Sequence, residues 1–91
     1  MKITDVRIRL ISNEDSKLKG VASVTIDDCF VVHDVKILQG STDFIIAMPS
    51  RKTADGEYRD IIHPINTQTR EMMRDEVIKA FQQAQLKSTE E

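Results

Sequence analysis

Apolar and polar residues alternate along the first half of the chain. In DVRIRLI, Val6, Ile8 and Leu10 fall on one face and the two arginines fall on the other, which is the period of a half-buried strand. The segment VASVTIDD resumes this alternation. The denser apolar run FVVHDVKIL is typical of a central strand covered on both faces, and FIIAM is another dense apolar run, which Pro49 ends. The pattern predicts consecutive antiparallel strands.

A turn and a helix are predicted after Pro49. Asp55-Gly56 is a strong signal for a type I′ turn, and the following EYRDIIHPI has the composition of a final strand. From Thr67 to about Lys87 the apolar residues recur every three or four positions, as on one face of a helix. That face consists of Met73, Val77, Ala80, Phe81 and Ala84, and Asn66 before it is placed to cap the helix.

These elements predict a single α+β domain over residues 1–91. An antiparallel β-sheet of four to five strands occupies about residues 2–65 and is followed by one long C-terminal α-helix over about 67–87, with a frayed tail at 88–91. The polar segment SNEDSKLKG connects the first two strands. Because one helix can cover only one face of the sheet, an exposed edge or face favours a homodimer.

Composition places the chain among folded, soluble proteins. It has 91 residues, of which 40% are hydrophobic and 31% charged, and its net charge is −2. This acidic balance argues against a generic polyanion binder, so any nucleic-acid role requires a local basic patch. The lone Cys29 cannot form an intrachain disulfide, and no apolar run resembles a signal peptide or a membrane span. The expected location is the cytoplasm, without membrane attachment.

Residues that could bind a metal or act as a catalytic nucleophile are few, and their spacing does not favour either role. Cys29, His33 and His63 are the only thiol and imidazole groups, and the first two lie too far apart along a strand to share a metal. Cys29 is expected to be a small buried residue. Asp27 and Asp28 are expected to point to opposite faces of a strand. We therefore predict no enzyme activity, no metal, no cofactor and no small-molecule substrate.

The remaining candidate for a binding site is a group of basic residues between positions 51 and 74. It could form one patch if the loop folds back beside the helix start, where free N–H groups favour a phosphate. Acidic residues are interspersed with it, so the residues alone favour ordinary solvated surface charge. The cations are Arg51, Lys52, Arg59, Arg70 and Arg74, and Thr67, Gln68 and Thr69 add neutral donors.

Three segments and one arginine carry a resemblance to a known bacterial family. ITDVRIR, ASVTIDDCFVVHDVKIL and AMPSRKTADGEYRDIIHPIN, with the following Arg70, resemble the SpoVG family (stage V sporulation protein G) through nearly the whole chain to about residue 84. The resemblance implies a small dimeric protein with an antiparallel sheet and a C-terminal helix. It further implies a cytoplasmic regulator that binds DNA, and in some members RNA, with links to sporulation, asymmetric septation and gene regulation.

The resemblance also assigns site residues. In this family, nucleic-acid contact is attributed to the basic loop after AMPS, which here carries Arg51, Lys52 and Arg59, and to the helix start from Thr67 to Arg74. The chain departs from the family at Ala54, where proline is common. Because alanine does not fix φ as proline does, the backbone of this turn is less restricted.

Two functional hypotheses follow. In the first, a homodimer binds nucleic acid without catalysis: the five cations contact phosphates, and Gln68 or Arg70 reaches base edges. In the alternative, the protein regulates division or sporulation through a protein partner on its exposed helix face, with only incidental nucleic-acid binding. Target sequence and the choice between DNA and RNA stay open.

Overall fold

The computed structural model describes residues 2–12 and 15–90. Strands β1 to β4 form one antiparallel sheet in chain order, and β5 and β6 form a separate two-stranded hairpin. The predicted α+β fold is confirmed, although the final strand is short and lies outside the main sheet. The predicted connection between the first two strands includes residues 13 and 14, which lie outside the described ranges. The elements are β1 (Ile3–Leu10), β2 (Leu18–Ile26), β3 (Phe30–Gln39), β4 (Phe44–Ala47), β5 (Ser50–Lys52), β6 (Tyr58–Asp60) and α1 (Thr67–Glu90).

The hydrophobic core lies between α1 and one face of the main sheet. Phe81 is fully buried, and its ring meets Phe44 edge-on with the ring centroids 5.0 Å apart. Gly20 lies against the same ring, because a Cβ atom at that position would come within 3.2 Å of it. The predicted apolar face of the helix is thus confirmed. The other buried core residues are Ala22, Val24, Val32, Val35, Ile37, Met73 and Val77.

The helix begins at the predicted cap. The Asn66 side-chain oxygen accepts a hydrogen bond from the Thr69 N–H at 2.7 Å, and the Asn66 carbonyl accepts from the Arg70 N–H at 3.1 Å. The helix continues to Glu90, past the predicted end at about Lys87, because no glycine or proline interrupts it. Residues 88–90, predicted to belong to a frayed tail, are therefore helical.

Among the described residues, no helix covers the second face of the main sheet. Along β3, Val32 faces the helix and is buried, whereas its neighbour Val31, on the opposite face, is 44% exposed. The expectation that β3 is covered on both faces is wrong for the single chain, since the one helix in residues 2–12 and 15–90 packs on the other side. Apolar density along a strand does not reveal which molecule covers the second face.

The β2–β3 connection is a tight turn centred on two aspartates. Asp27 and Asp28 both have positive φ, 52° and 57°, and the Cys29 N–H donates to the Ile26 carbonyl at 3.1 Å. This is a type I′ turn. The two carboxylates therefore lie in a turn and not on a strand. Cys29 is exposed, in contrast to the buried position expected.

Candidate nucleic-acid interface

The β5–β6 hairpin, which we call the basic hairpin, carries Arg51, Lys52 and Arg59. Arg51 is the direct cross-strand partner of Arg59, whereas Lys52 is the partner of Tyr58. Because side chains alternate between the faces of a strand, Arg51 and Arg59 share one face and Lys52 lies on the other. All three cations are exposed. The hairpin therefore presents a pair of arginines, with the lysine turned away from them.

The hairpin closes with a different turn from the one predicted. The Gly56 N–H donates to the Thr53 carbonyl at 3.0 Å, the Thr53 N–H donates to the Glu57 carbonyl at 2.7 Å, and Gly56 alone in this turn has positive φ. Ala54 and Asp55 are thus the central residues of a type I turn, and Gly56 forms a bulge in the left-handed region. The expected type I′ turn at Asp55-Gly56 is wrong.

Side chains within the turn reinforce this geometry. The Thr53 hydroxyl donates a hydrogen bond to the Asp55 carboxylate, and this bond is the main reason that the pKa of Asp55 lies below its ordinary value of 3.8. A lowered pKa means that protonation favours the unfolded hairpin. The contribution of Asp55 to the hairpin is therefore complete above pH 3.8 and is lost as the pH falls through the lower folded value.

Replacing Ala54 by proline is expected to stabilise the protein by about 0.4–1 kcal/mol. Ala54 occupies the first central position of the type I turn, where proline is favoured because its fixed φ matches the turn. Urea unfolding followed by circular dichroism measures the change. For comparison, Asp55→Pro is expected to destabilise, because proline is disfavoured at the second central position and the hydrogen bond from the Thr53 hydroxyl is lost as well. A lower midpoint for Ala54→Pro would contradict the type I assignment.

The start of the helix supplies a second basic group. Arg70 and Arg74 lie one helical turn apart and line a cavity of about 470 Å³, which we call the Arg70 cavity. Ser50 and Asp60, which are cross-strand partners in the basic hairpin, line the same cavity. Its remaining lining residues are Ile46, Ala47, Met48, His63, Pro64 and Met73.

The predicted site residues thus fall into two groups. Arg70 and Arg74 come together beside the hairpin, but Arg51, Lys52 and Arg59 do not line the Arg70 cavity. Patterns of charge along the sequence do not reveal this division, because it depends on which face each hairpin residue occupies. Sequence reasoning also missed Ser50, Asp60 and His63 as lining residues, and only the hairpin register would have indicated the first two.

The neutral residues at the helix start differ in accessibility. Thr67 and Gln68 are exposed, whereas Thr69 is half-buried. The Thr69 N–H already donates to the cap residue Asn66, so it is not free for a phosphate. The structure places all three at the helix start, with Thr69 less available to a ligand than the other two.

Ion pairing leaves most of these cations available. Arg59 Nη2 lies 3.9 Å from Glu57 Oε2, and Arg74 Nη2 lies 3.4 Å from Asp75 Oδ1, both on the surface. Such exposed pairs contribute about 0–1 kcal/mol, so a polyanion can displace them. Within residues 2–12 and 15–90, the side chains of Arg51, Lys52 and Arg70 form no ion pair.

Other candidate chemistry has little geometric support. Across the part of the chain that the structure describes, no cluster of histidine, cysteine and acidic residues could hold a metal ion. The His33 ring contacts the Ser23 hydroxyl at 3.0 Å on the uncovered sheet face. No helix among the described residues is long and apolar enough to span a membrane.

Comparison with known proteins gives a consistent result. A family model described as SpoVG matches residues 1–83. A relative from Lachnospira eligens is 56% identical over 85 residues, covering 93% of this chain and 96% of its own. Relatives from Caldicellulosiruptor bescii and Clostridium beijerinckii are each 55% identical, over 82 and 84 residues, covering 90% and 92% of this chain and 92% and 91% of their own. All three relatives carry the name septation protein SpoVG.

Proposed function

The chain belongs to the SpoVG family, and on that premise we propose that it is a regulatory protein that binds nucleic acid, either DNA or RNA, through the basic hairpin and the helix start. The septation name of its relatives supports a role in septation and sporulation. The proposed role is binding without catalysis, and its place is the cytoplasm, where the exposed thiol of Cys29 stays reduced.

The pairing of Arg51 with Arg59 is the observation that carries this proposal. Like charges directly opposite each other destabilise a pair of strands, and here they sit in a hairpin of only three residues per strand. A phosphate bound between the two guanidinium groups would convert this repulsion into two charge-assisted contacts. Arginine is suited to this because its planar donor groups match phosphate oxygens.

The distribution of charge on the protein predicts that binding depends strongly on salt concentration. The whole chain has a net charge of −2, so attraction must come from the basic hairpin and the helix start. Acidic residues lie close by, as the contact between Arg59 and Glu57 shows. We therefore expect binding that depends strongly on salt, with phosphate contacts supplying most of the free energy.

We also propose that the active form is a homodimer, which would double the set of cations. In the part of the chain that the structure describes, strand β4 pairs with β3 alone, so its outer edge can pair with a second copy. Exposed apolar side chains lie on and near this edge: Ile45 is 52%, Ile61 65% and Tyr58 72% exposed. A monomer mass by sedimentation equilibrium at micromolar concentration would exclude the dimer.

A salt titration tests the proposed function. Fluorescence anisotropy with a labelled DNA duplex, and with RNA of the same sequence, measures affinity between about 50 and 200 mM salt. About five phosphate contacts per subunit predict a log–log slope of about −4 or steeper. A flat slope would refute the electrostatic site. Absence of binding at the lowest salt concentration would instead favour a regulator that acts through a protein partner.

A further inference from the structure

The Arg70 cavity has the dimensions and lining of a binding site for a small group. Its volume of about 470 Å³ falls within the range of about 300–1,000 Å³ that is typical of ligand sites. Four parts of the fold form it: the end of β4, the basic hairpin, the connection from β6 to α1 and the first turns of α1. One wall is apolar and includes Met73, which is 5% exposed and belongs to the core. The cavity therefore adjoins a rigid part of the protein.

Opposite charges line this cavity without neutralising each other. Arg70 and Arg74 lie on the helix side, and Asp60 lies on the hairpin side. Arg74 pairs with Asp75, whereas Arg70 and Asp60 form no ion pair with any residue in the described ranges. The cavity thus offers donors and an acceptor that remain available. A fitting ligand carries an anion at one end and hydrogen-bond donors at the other.

His63 adds a second acceptor to the lining. Its Nδ1 atom lies 3.0 Å from the Pro64 carbonyl oxygen. Because a carbonyl can only accept a hydrogen bond, Nδ1 carries the proton and Nε2 of the neutral ring is the acceptor. The imidazole therefore suits a ligand that carries hydroxyl or N–H groups between its two ends.

We propose that the Arg70 cavity binds one unstacked nucleotide of the bound strand and prefers guanine. This inference rests on the proposed function. The phosphate contacts Arg70 and Arg74, the base packs against the methionine side chains of the apolar wall, and its edge donates to Asp60. Guanine presents two adjacent donors, N1–H and the N2 amino group, which match the two oxygens of a carboxylate. Uracil presents only N3–H between two carbonyl oxygens, which repel the carboxylate.

A mononucleotide titration tests this inference on the full chain. Isothermal titration calorimetry compares guanosine monophosphate, uridine monophosphate and inorganic phosphate. Guanosine monophosphate is expected to bind about fivefold or more tightly than either of the other two, because a bidentate base contact is lost in both. Equal affinity for all three would overturn the inference and leave only a phosphate site. The wild-type comparison decides this without any variant.

The variant Asp60→Asn tests whether the Asp60 carboxylate is the group that distinguishes guanine from other bases. It is expected to lower the affinity for guanosine monophosphate about fivefold while changing that for uridine monophosphate by less than about twofold. Asp34→Asn is the matched control, since it makes the same carboxylate-to-amide change at an exposed residue outside the cavity lining. An equal effect of both variants would contradict the role of Asp60.

The outcome also separates this inference from the proposed function. If the wild type binds DNA with a steep salt dependence but does not distinguish the mononucleotides, the nucleotide cavity is refuted and the phosphate-binding function stands. If it binds neither DNA nor RNA at low salt, the proposed function fails whatever the mononucleotide result. Thermal unfolding by circular dichroism checks that each variant is folded.

Discussion

Replacing Phe81 by alanine is expected to lower the free energy of unfolding by about 3–5 kcal/mol. The side chain is fully buried and packs edge-on against Phe44, with its ring directly over Gly20. Glycine has no side chain that could move into the space, so a cavity would remain between the helix and the sheet. Since small domains are stable by only about 5–15 kcal/mol, this loss is a large fraction of the total. Urea unfolding followed by circular dichroism measures it.

Two further variants test whether the loss comes from the cavity. Phe81→Leu retains most of the apolar volume and is expected to cost much less than the alanine variant. Gln82→Ala changes the exposed neighbour on the same helix and is expected to stay within about 0.5 kcal/mol of wild type. A cost below about 1 kcal/mol for Phe81→Ala would contradict the packing of the helix on the sheet.

The periodic parts of the chain were predictable because burial imposes their period. Val6 and Ile8 alternate with exposed residues along β1, and Met73, Val77 and Phe81 recur along the helix, so each pattern identifies both the element and its inner face. The covering of β3 was not predictable. Its dense apolar sequence fits either a second layer from the same chain or an open face, and only the position of α1 decides between them.

The turns and the candidate site were harder to predict, since both depend on which residues form the last hydrogen-bonded pair before each turn. The type I′ turn forms at Asp27-Asp28, whereas the stronger sequence signal at Asp55-Gly56 forms a type I turn with a bulge. In the second case the Thr53 backbone pairs with Glu57, which lengthens the loop by one residue. The same closure sets the hairpin register, and therefore separates the hairpin arginines from the Arg70 cavity.

Arg51→Ala/Arg59→Ala is expected to lower the affinity for a DNA duplex by about 10–100-fold at about 0.1 M salt. Each lost phosphate contact should also reduce the steepness of the salt dependence by about one unit per subunit. The variant removes a like-charged cross-strand pair, so the stability of the hairpin should stay the same or rise slightly. Loss of binding with unchanged stability would thus exclude unfolding as the cause. Fluorescence anisotropy and urea unfolding provide the two measurements.

Lys79→Ala/Lys87→Ala is the matched control for this variant. Both lysines are exposed on the helix, and removing them changes the net charge from −2 to −4, as the arginine variant does. Long-range attraction should fall to a similar degree in both variants, so the difference between them isolates direct contact at the hairpin. We expect the lysine variant to lose less than about threefold in affinity. Equal losses would mean that DNA responds only to overall charge, and the pairing of Arg51 with Arg59 would then have no role in binding.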